Sequence, residues 1–310
     1  MNKRKLKKGV ILKLVLILLT FILLLSLINV FSHLRSNDRK FKNIGYSTEE
    51  IEHISNIDDN FISLVIDNEY NEHIPYLLNE KYFIEENFEK YIEHKENNTS
   101  LDYNDVISIV NTHNHLDHYE EVHDTDTSKE KLMLVNRYYK LNSDYSVPEL
   151  NQISLQYSYN NNSLNLEALN SYVSLWRSAK GSGYNLIANG SYRSYSSQES
   201  IYERNREIQG TRRTDEIIAR PGHSEHQTGL ALDINILGVS TSDYDKTEEF
   251  EWLSNNAHKF GFIMRYPKDK DHITGFNYEP WHYRYVGVEV AKYIFENNIT
   301  FDEYYAFYLK

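Results

Sequence analysis

At 310 residues, 40% of them apolar and 14% aromatic, the chain is long enough to bury a sizeable core. A net charge of −12 argues against nucleic acid as a partner, and the lack of any cysteine excludes disulfides and thiolate metal sites. Any metal must sit on His, Asp or Glu.

The N-terminus stands apart. Lys3, Arg4, Lys5, Lys7, Lys8 and Lys13 precede an uncharged apolar run over residues 14–30, at the short end of what spans a bilayer as a helix. Neither Ser26-Leu27-Ile28 nor Asn29-Val30-Phe31 offers the small-residue site of a cleaved signal peptide. The sequence predicts a basic cytoplasmic segment over 1–13 and an uncleaved transmembrane anchor over 14–31. By the positive-inside rule, that makes a single-pass protein of the cell membrane with its bulk extracytoplasmic.

Residues 32–130 read as a tether and a mainly helical N-terminal region. Ser47-Thr48-Glu49-Glu50 is a capping box, and Ile51, Ile54 and Ile57 continue at helical spacing. Residues 106–110 (Val-Ile-Ser-Ile-Val) and 132–135 read as strands. Next comes a helix carrying Leu166, Leu169, Val173 and Trp176, closed near Gly181. A strand through Leu186-Ile187-Ala188 follows, and Ser196 with Glu199 forms a second capping box that opens a helix near Gln198. A strand over 231–237, a helix over 248–260, a strand over 262–266 and two closing helices over 288–297 and 302–308 complete the chain. Strands and helices alternate irregularly, so the expected class is α+β, with residues 131–310 as the functional domain.

The chemistry concentrates in two clusters. Ser224-Glu225-His226-Gln227-Thr228-Gly229-Leu230-Ala231-Leu232-Asp233 places an imidazole and a carboxylate either side of a glycine. Seven residues apart on one straight strand, His226 and Asp233 would face opposite ways. Gly229 permits the turn that lets both point at one metal. Glu279-Pro280-Trp281-His282 adds a second imidazole and a spare carboxylate. Two histidines and an aspartate with an open fourth position suit catalytic zinc, and Glu279 is close enough to serve as the base. Arg193 offers a fixed positive charge for a substrate carboxylate or a developing oxyanion.

These residues carry a resemblance. Ser224-x-His226-x-x-Gly229-x-Ala231-x-Asp233 with Glu279-x-Trp281-His282, preceded by Ser191-Tyr192-Arg193-Ser194 and Gln198, resembles the VanY-type zinc D-alanyl-D-alanine carboxypeptidases. The resemblance implies an antiparallel sheet flanked by helices with a zinc site on it. It implies His226, Asp233 and His282 as zinc ligands, Glu279 as catalytic base, and Arg193, Gln198 and Ser224 as substrate-binding groups. Its implied substrate is the peptidoglycan stem peptide, from which a terminal D-alanine is removed. The same machinery would serve an L,D-carboxypeptidase acting on a shortened stem, and a non-catalytic wall-binding protein is the reading from another class. A further motif, His113-x-His115-x-Asp117-His118, resembles that of metallo-β-lactamase-type hydrolases. The downstream ligands are missing, since His123 is too near and the next histidine is His223, so it reads as a polar loop.

Overall fold

The computed structural model describes residues 8–310; residues 1–7, part of the expected basic segment, lie outside the described residues. The chain divides into two compact units, Met1–Asn104 and Asp105–Lys310.

The first unit is helical. Its longest elements are α1 (Lys8–Ile44), α2 (Thr48–Ile54) and α3 (Phe88–Asn97). The capping box opens α2: Ser47 Oγ accepts from Glu50 N at 3.2 Å, and Glu50 Oε2 accepts from Ser47 N at 2.7 Å. Ile54, Val65, Leu77 and Tyr91 are fully buried.

One expectation is overturned in this unit. Among the described residues, no helix is long and apolar enough to cross a membrane. The apolar run does not stand alone as a span over 14–31. It is the middle of α1, which bears Lys13 before it and continues through Arg35, Asp38, Arg39, Lys40 and Lys42, within the stretch expected to be a short polar tether. The transmembrane element of the expected fold class falls, and with it the single-pass, membrane-anchored location.

The second unit is built on a four-stranded sheet of β1 (Leu186–Gly190), β2 (Ala231–Ile236), β3 (Phe262–Tyr266) and β4 (Glu279–Tyr285). The strand order is β1-β2-β4-β3, and every pairing is antiparallel. Period-two alternation sorts the side chains of β2. Leu232, Ile234 and Ile236 enter the main core, leaving Ala231, Asp233 and Asn235 on the other face. On β4, Tyr283 and Tyr285 join that core while His282 and Arg284 turn away from it. Helix α5 (Leu166–Gly181) closes the core face with Ala168, Tyr172, Leu175 and Ala179, all fully buried. The helices Val288–Asn297 and Phe301–Tyr308 form a second cluster with Leu134, Ile263 and Val286. The face opposite the main core is free to carry polar groups.

Three local expectations need correction. Residues 106–110 lie on the helix α4 (Tyr103–Asn111). Residues 132–135 form no strand: the carbonyls of Met133 and Leu134 are taken by the Arg284 guanidinium and the Thr125 hydroxyl, leaving no ladder to join. Helix α6 (Tyr195–Gln209) is capped by Ser194, whose Oγ accepts from Ser197 N at 3.2 Å, and not by Ser196.

Candidate active site

The sheet register builds the site. Asp233 of β2 lies directly opposite His282 of β4, so both project from the face away from the main core. His226 arrives from the preceding short 3₁₀ turn Glu225–Thr228, which ends at Gly229 in the left-handed region (φ 68°). That turn reverses the chain before β2 starts and cancels the odd spacing of His226 and Asp233. Glu279 and His282, three apart on one strand, should also diverge. A register irregularity between Met264 and Tyr266, with Tyr266 opposite Glu279, turns Glu279 back toward the cluster. Its Oε2 lies 3.8 Å from His282 Nδ1.

The ligand geometry is specific. His226 Nε2 is 3.6 Å from Asp233 Oδ2, and His282 Nδ1 is 3.1 Å from Asp233 Oδ1. One ligand atom from each residue lies within 4.8 Å of the others, the imidazoles crossing at 86°. Bonds of ~2.0–2.1 Å to a tetrahedral ion put ligand atoms about 3.3 Å apart, so these spacings suit a small divalent cation. The donor chemistry agrees. His226 Nδ1 donates to the Ser191 carbonyl at 2.7 Å, which leaves the Nε2 lone pair aimed at the cluster.

Charge completes the fit. Burial pushes His226 down to about 4, so it is neutral and free to ligate. Burial opposes ionisation of Asp233, yet His226, His282 and Arg193 hold it down at about 2. Burial also opposes charge on His282, but Asp233, Glu225 and Glu279 outweigh it and push that imidazole up. The cluster thus demands positive charge at His282, which a cation on Nδ1 would provide in place of a proton. For Glu279, burial raises the carboxyl above its ordinary value, against the pull of His282.

All seven residues expected at the site line one cavity of about 200 Å³: Arg193, Gln198, Ser224, His226, Asp233, Glu279 and His282. That is below the ~300–1,000 Å³ of drug-sized sites, and suits a small terminal group of a larger ligand. Arg193 Nη1 donates to Gln198 Oε1 at 2.8 Å, while Gln198 Nε2 donates to the Ala219 carbonyl at 2.7 Å. The arginine is therefore tethered to α6 with donors to spare. Ile201, Ile217, Phe276 and Trp281 supply an apolar wall.

The loop of His113, His115 and His118 stays apart from this centre. His118 Nδ1 meets Arg137 Nη1 at 2.8 Å, a cationic neighbour that opposes a metal. Among the described residues, the metal-capable grouping is His226, Asp233 and His282.

Two residues escaped the sequence reading. A Cβ added at Gly190 of β1 would stand 2.3 Å from Asp233 Oδ2, so only glycine fits beside that carboxylate. The register shift between Ala188 and Gly190 sets it there. Glu225, fully buried, has an oxygen 3.6 Å from His282 Nε2. Its only signal in sequence is its place beside His226.

Comparison with known proteins agrees with the geometry. The family model for VanY, D-alanyl-D-alanine carboxypeptidase, matches residues 161–288. The YodJ protein of Bacillus subtilis (strain 168) is 39% identical over 181 residues, covering 56% of this chain and 66% of that protein. A D-alanyl-D-alanine carboxypeptidase of Enterococcus faecalis (strain ATCC 700802 / V583) is 36% identical over 189 residues, covering 58% and 67%. The match thus spans about two thirds of each of these curated relatives. The solved structure of the LdcB LD-carboxypeptidase is similar at a TM-score of 0.58 and 36% identity, covering 61% of this chain and 91% of that one.

Proposed function

The chain belongs to the VanY D-alanyl-D-alanine carboxypeptidase family, and from that premise and the geometry of the cavity we propose that it is a zinc D,D-carboxypeptidase. It hydrolyses the terminal D-Ala-D-Ala bond of peptidoglycan stem peptides, with the second unit, Asp105–Lys310, as its catalytic domain. The observation that carries the reading is the convergence of two imidazoles and a carboxylate at ligand spacing, with Glu279 beside them and Arg193 across the same cavity.

His226 Nε2, the Asp233 carboxylate and His282 Nδ1 are the groups that would hold zinc. The ion would supply Lewis-acid polarisation of the scissile carbonyl and bring the pKa of water down to about 7. Glu279 accepts the proton of the attacking water and returns it to the leaving D-alanine amine. Its elevated pKa suits both halves of that transfer. Arg193, held by Gln198, binds the substrate's terminal carboxylate through its remaining donors. Ser224, on the same wall, contacts the peptide, and the apolar side of the cavity keeps bulk water from the bond.

A second reading, L,D-carboxypeptidase, draws on the likeness to the LdcB enzyme. The zinc-loaded full chain decides between them when incubated separately with a pentapeptide stem ending D-Ala-D-Ala and a tetrapeptide stem ending in one D-Ala. Released D-alanine is measured, with Glu279→Gln as control. Release from the pentapeptide is expected. Release from the tetrapeptide alone transfers the proposal to the L,D class, and silence from both favours a wall-binding protein.

A further inference from the structure

Behind the ligand cluster lie two buried polar atoms with no hydrogen-bond partner, His282 Nε2 and Glu225 Oε2. They face each other at 3.6 Å. Buried polar atoms are almost always paired, so this near contact asks for a role.

The surroundings hold Glu225 firmly. Its other oxygen, Oε1, accepts from Arg265 Nε and from Arg284 Nη1, both at 2.8 Å. Arg284 Nη2 donates to the carbonyls of Lys131 and Met133 at 3.0 and 2.8 Å. Arg265 clamps Asp302 with both terminal nitrogens, and Asp302 Oδ1 also accepts from Asn136 Nδ2 at 2.8 Å. Glu225, Arg265, Arg284 and Asp302 are all 2% exposed or less. Two carboxylates and two guanidiniums cancel in charge, so this knot is closed without help from His282. Were Glu225 only a counter-ion, the arginines would engage both its oxygens. They engage one, and the free oxygen points at the imidazole.

The topology gives the pairing a purpose. Glu225 and His226 are neighbours on one 3₁₀ turn, and His282 and Arg284 lie two apart on one face of β4. The turn that carries one ligand therefore also carries the group aimed at the other ligand's far nitrogen. Resting on the reading of His226, Asp233 and His282 as the metal site, we propose that Glu225 is a positioning residue. Its carboxylate accepts the Nε2–H of His282, fixes the tautomer and rotation of that ring, and so aims Nδ1 at the metal. The arrangement has the form of a carboxylate–histidine–metal relay, in which the outer partner sets ligand orientation and basicity.

The test compares the full chain with Glu225→Gln and Glu225→Met by competition with a chromophoric zinc chelator. Glutamine keeps an acceptor oxygen, and methionine keeps the volume but removes the acceptor. The methionine variant should bind zinc about 10–100-fold more weakly than wild type, with glutamine in between. Because either change could unfold the buried knot, a second measurement uses the wild-type chain alone. In the zinc-loaded, 15N-histidine-labelled protein, long-range 1H–15N correlations should show His282 protonated at Nε2 and ligated at Nδ1. A His282 proton on Nδ1, or a folded methionine variant with unchanged zinc affinity, overturns the proposal while leaving the zinc reading intact. A wild-type chain that binds no zinc removes both.

Discussion

Glu279 sits where burial and neighbouring charge compete. Its carboxyl lies above the ordinary glutamate value because burial and the nearby Asp233 outweigh the attraction of His282. In the metal-free chain this has a cost with a definite sign. The folded state holds the proton more tightly than the unfolded state, so stability falls as pH rises from the ordinary value through the folded one. Below that window the penalty is absent. Glu279→Gln removes the ionisable group but no ligand. The metal-free variant should therefore gain stability over wild type at pH 7 and show no such gain at pH 4, by urea unfolding in the presence of a chelator. The same variant should retain zinc and lose about 10²–10⁴-fold in turnover, the usual worth of a general base. An equal stability difference at both pH values would mean that the fold does not raise the proton affinity of Glu279. A residue that weakens the resting protein at neutral pH while carrying the proton of the reaction is the trade expected where activity rather than packing decides the side chain.

The four strands act on the site through irregularities rather than through regular pairing. The bulge at the end of β1 brings Gly190 beside Asp233, where a methyl group would meet Asp233 Oδ2 at 2.3 Å. Gly190→Ala should cost about 1–3 kcal/mol by overpacking and weaken zinc binding as Asp233 swings aside. The double variant Gly190→Ala/Asp233→Ala, with the colliding carboxylate gone, should recover most of that stability. Additive losses in the double variant would place the damage in the β1 backbone instead. Such features explain what the sequence left legible. The pattern around His226, Asp233 and His282 was readable because the residue types are chemically distinctive and local glycines mark the turn. Strand β2 was readable from alternation, and β3 as a short, mostly apolar run after the helix stop at Gly261. Residues 106–110 were misread because Val106 through Asn111 are buried in unbroken succession, and a fully buried run has no period to separate strand from helix. Glu225 was invisible for another reason: its partners Arg265 and Arg284 lie 40 and 59 residues away, and only the folded sheet brings them to it.

At the scale of the whole molecule, the division between Asn104 and Asp105 separates a helical unit from one that holds every proposed site residue. Where the active unit begins is a matter of which contacts it needs. The expected domain start at residue 131 cuts away 105–130, yet that segment makes specific bonds within the second unit. Ser108 Oγ donates to Glu303 Oε1 at 2.7 Å, Asn114 donates to the Ile273 carbonyl, and the Leu116 carbonyl accepts from Tyr138 Oη at 3.2 Å. His118 lies against Arg137, whose Nη1 also holds the Asp215 carbonyl at 2.6 Å, on the helix leading into the cavity wall. Removing these partners leaves Glu303 and Arg137 with buried polar atoms to satisfy, at ~1–3 kcal/mol each. Two truncated chains, 105–310 and 131–310, should therefore differ. The longer one should unfold in a single cooperative step and release D-alanine with a kcat/KM within a few-fold of the full chain. The shorter one should lose several kcal/mol, or fail to fold, when followed by urea denaturation. Equal stability of the two would make 131 the true start of the catalytic unit and reduce 105–130 to packing. Loss of activity in the longer chain, with zinc still bound, would mean that the helical unit contributes to substrate capture and is more than a neighbour of the enzyme.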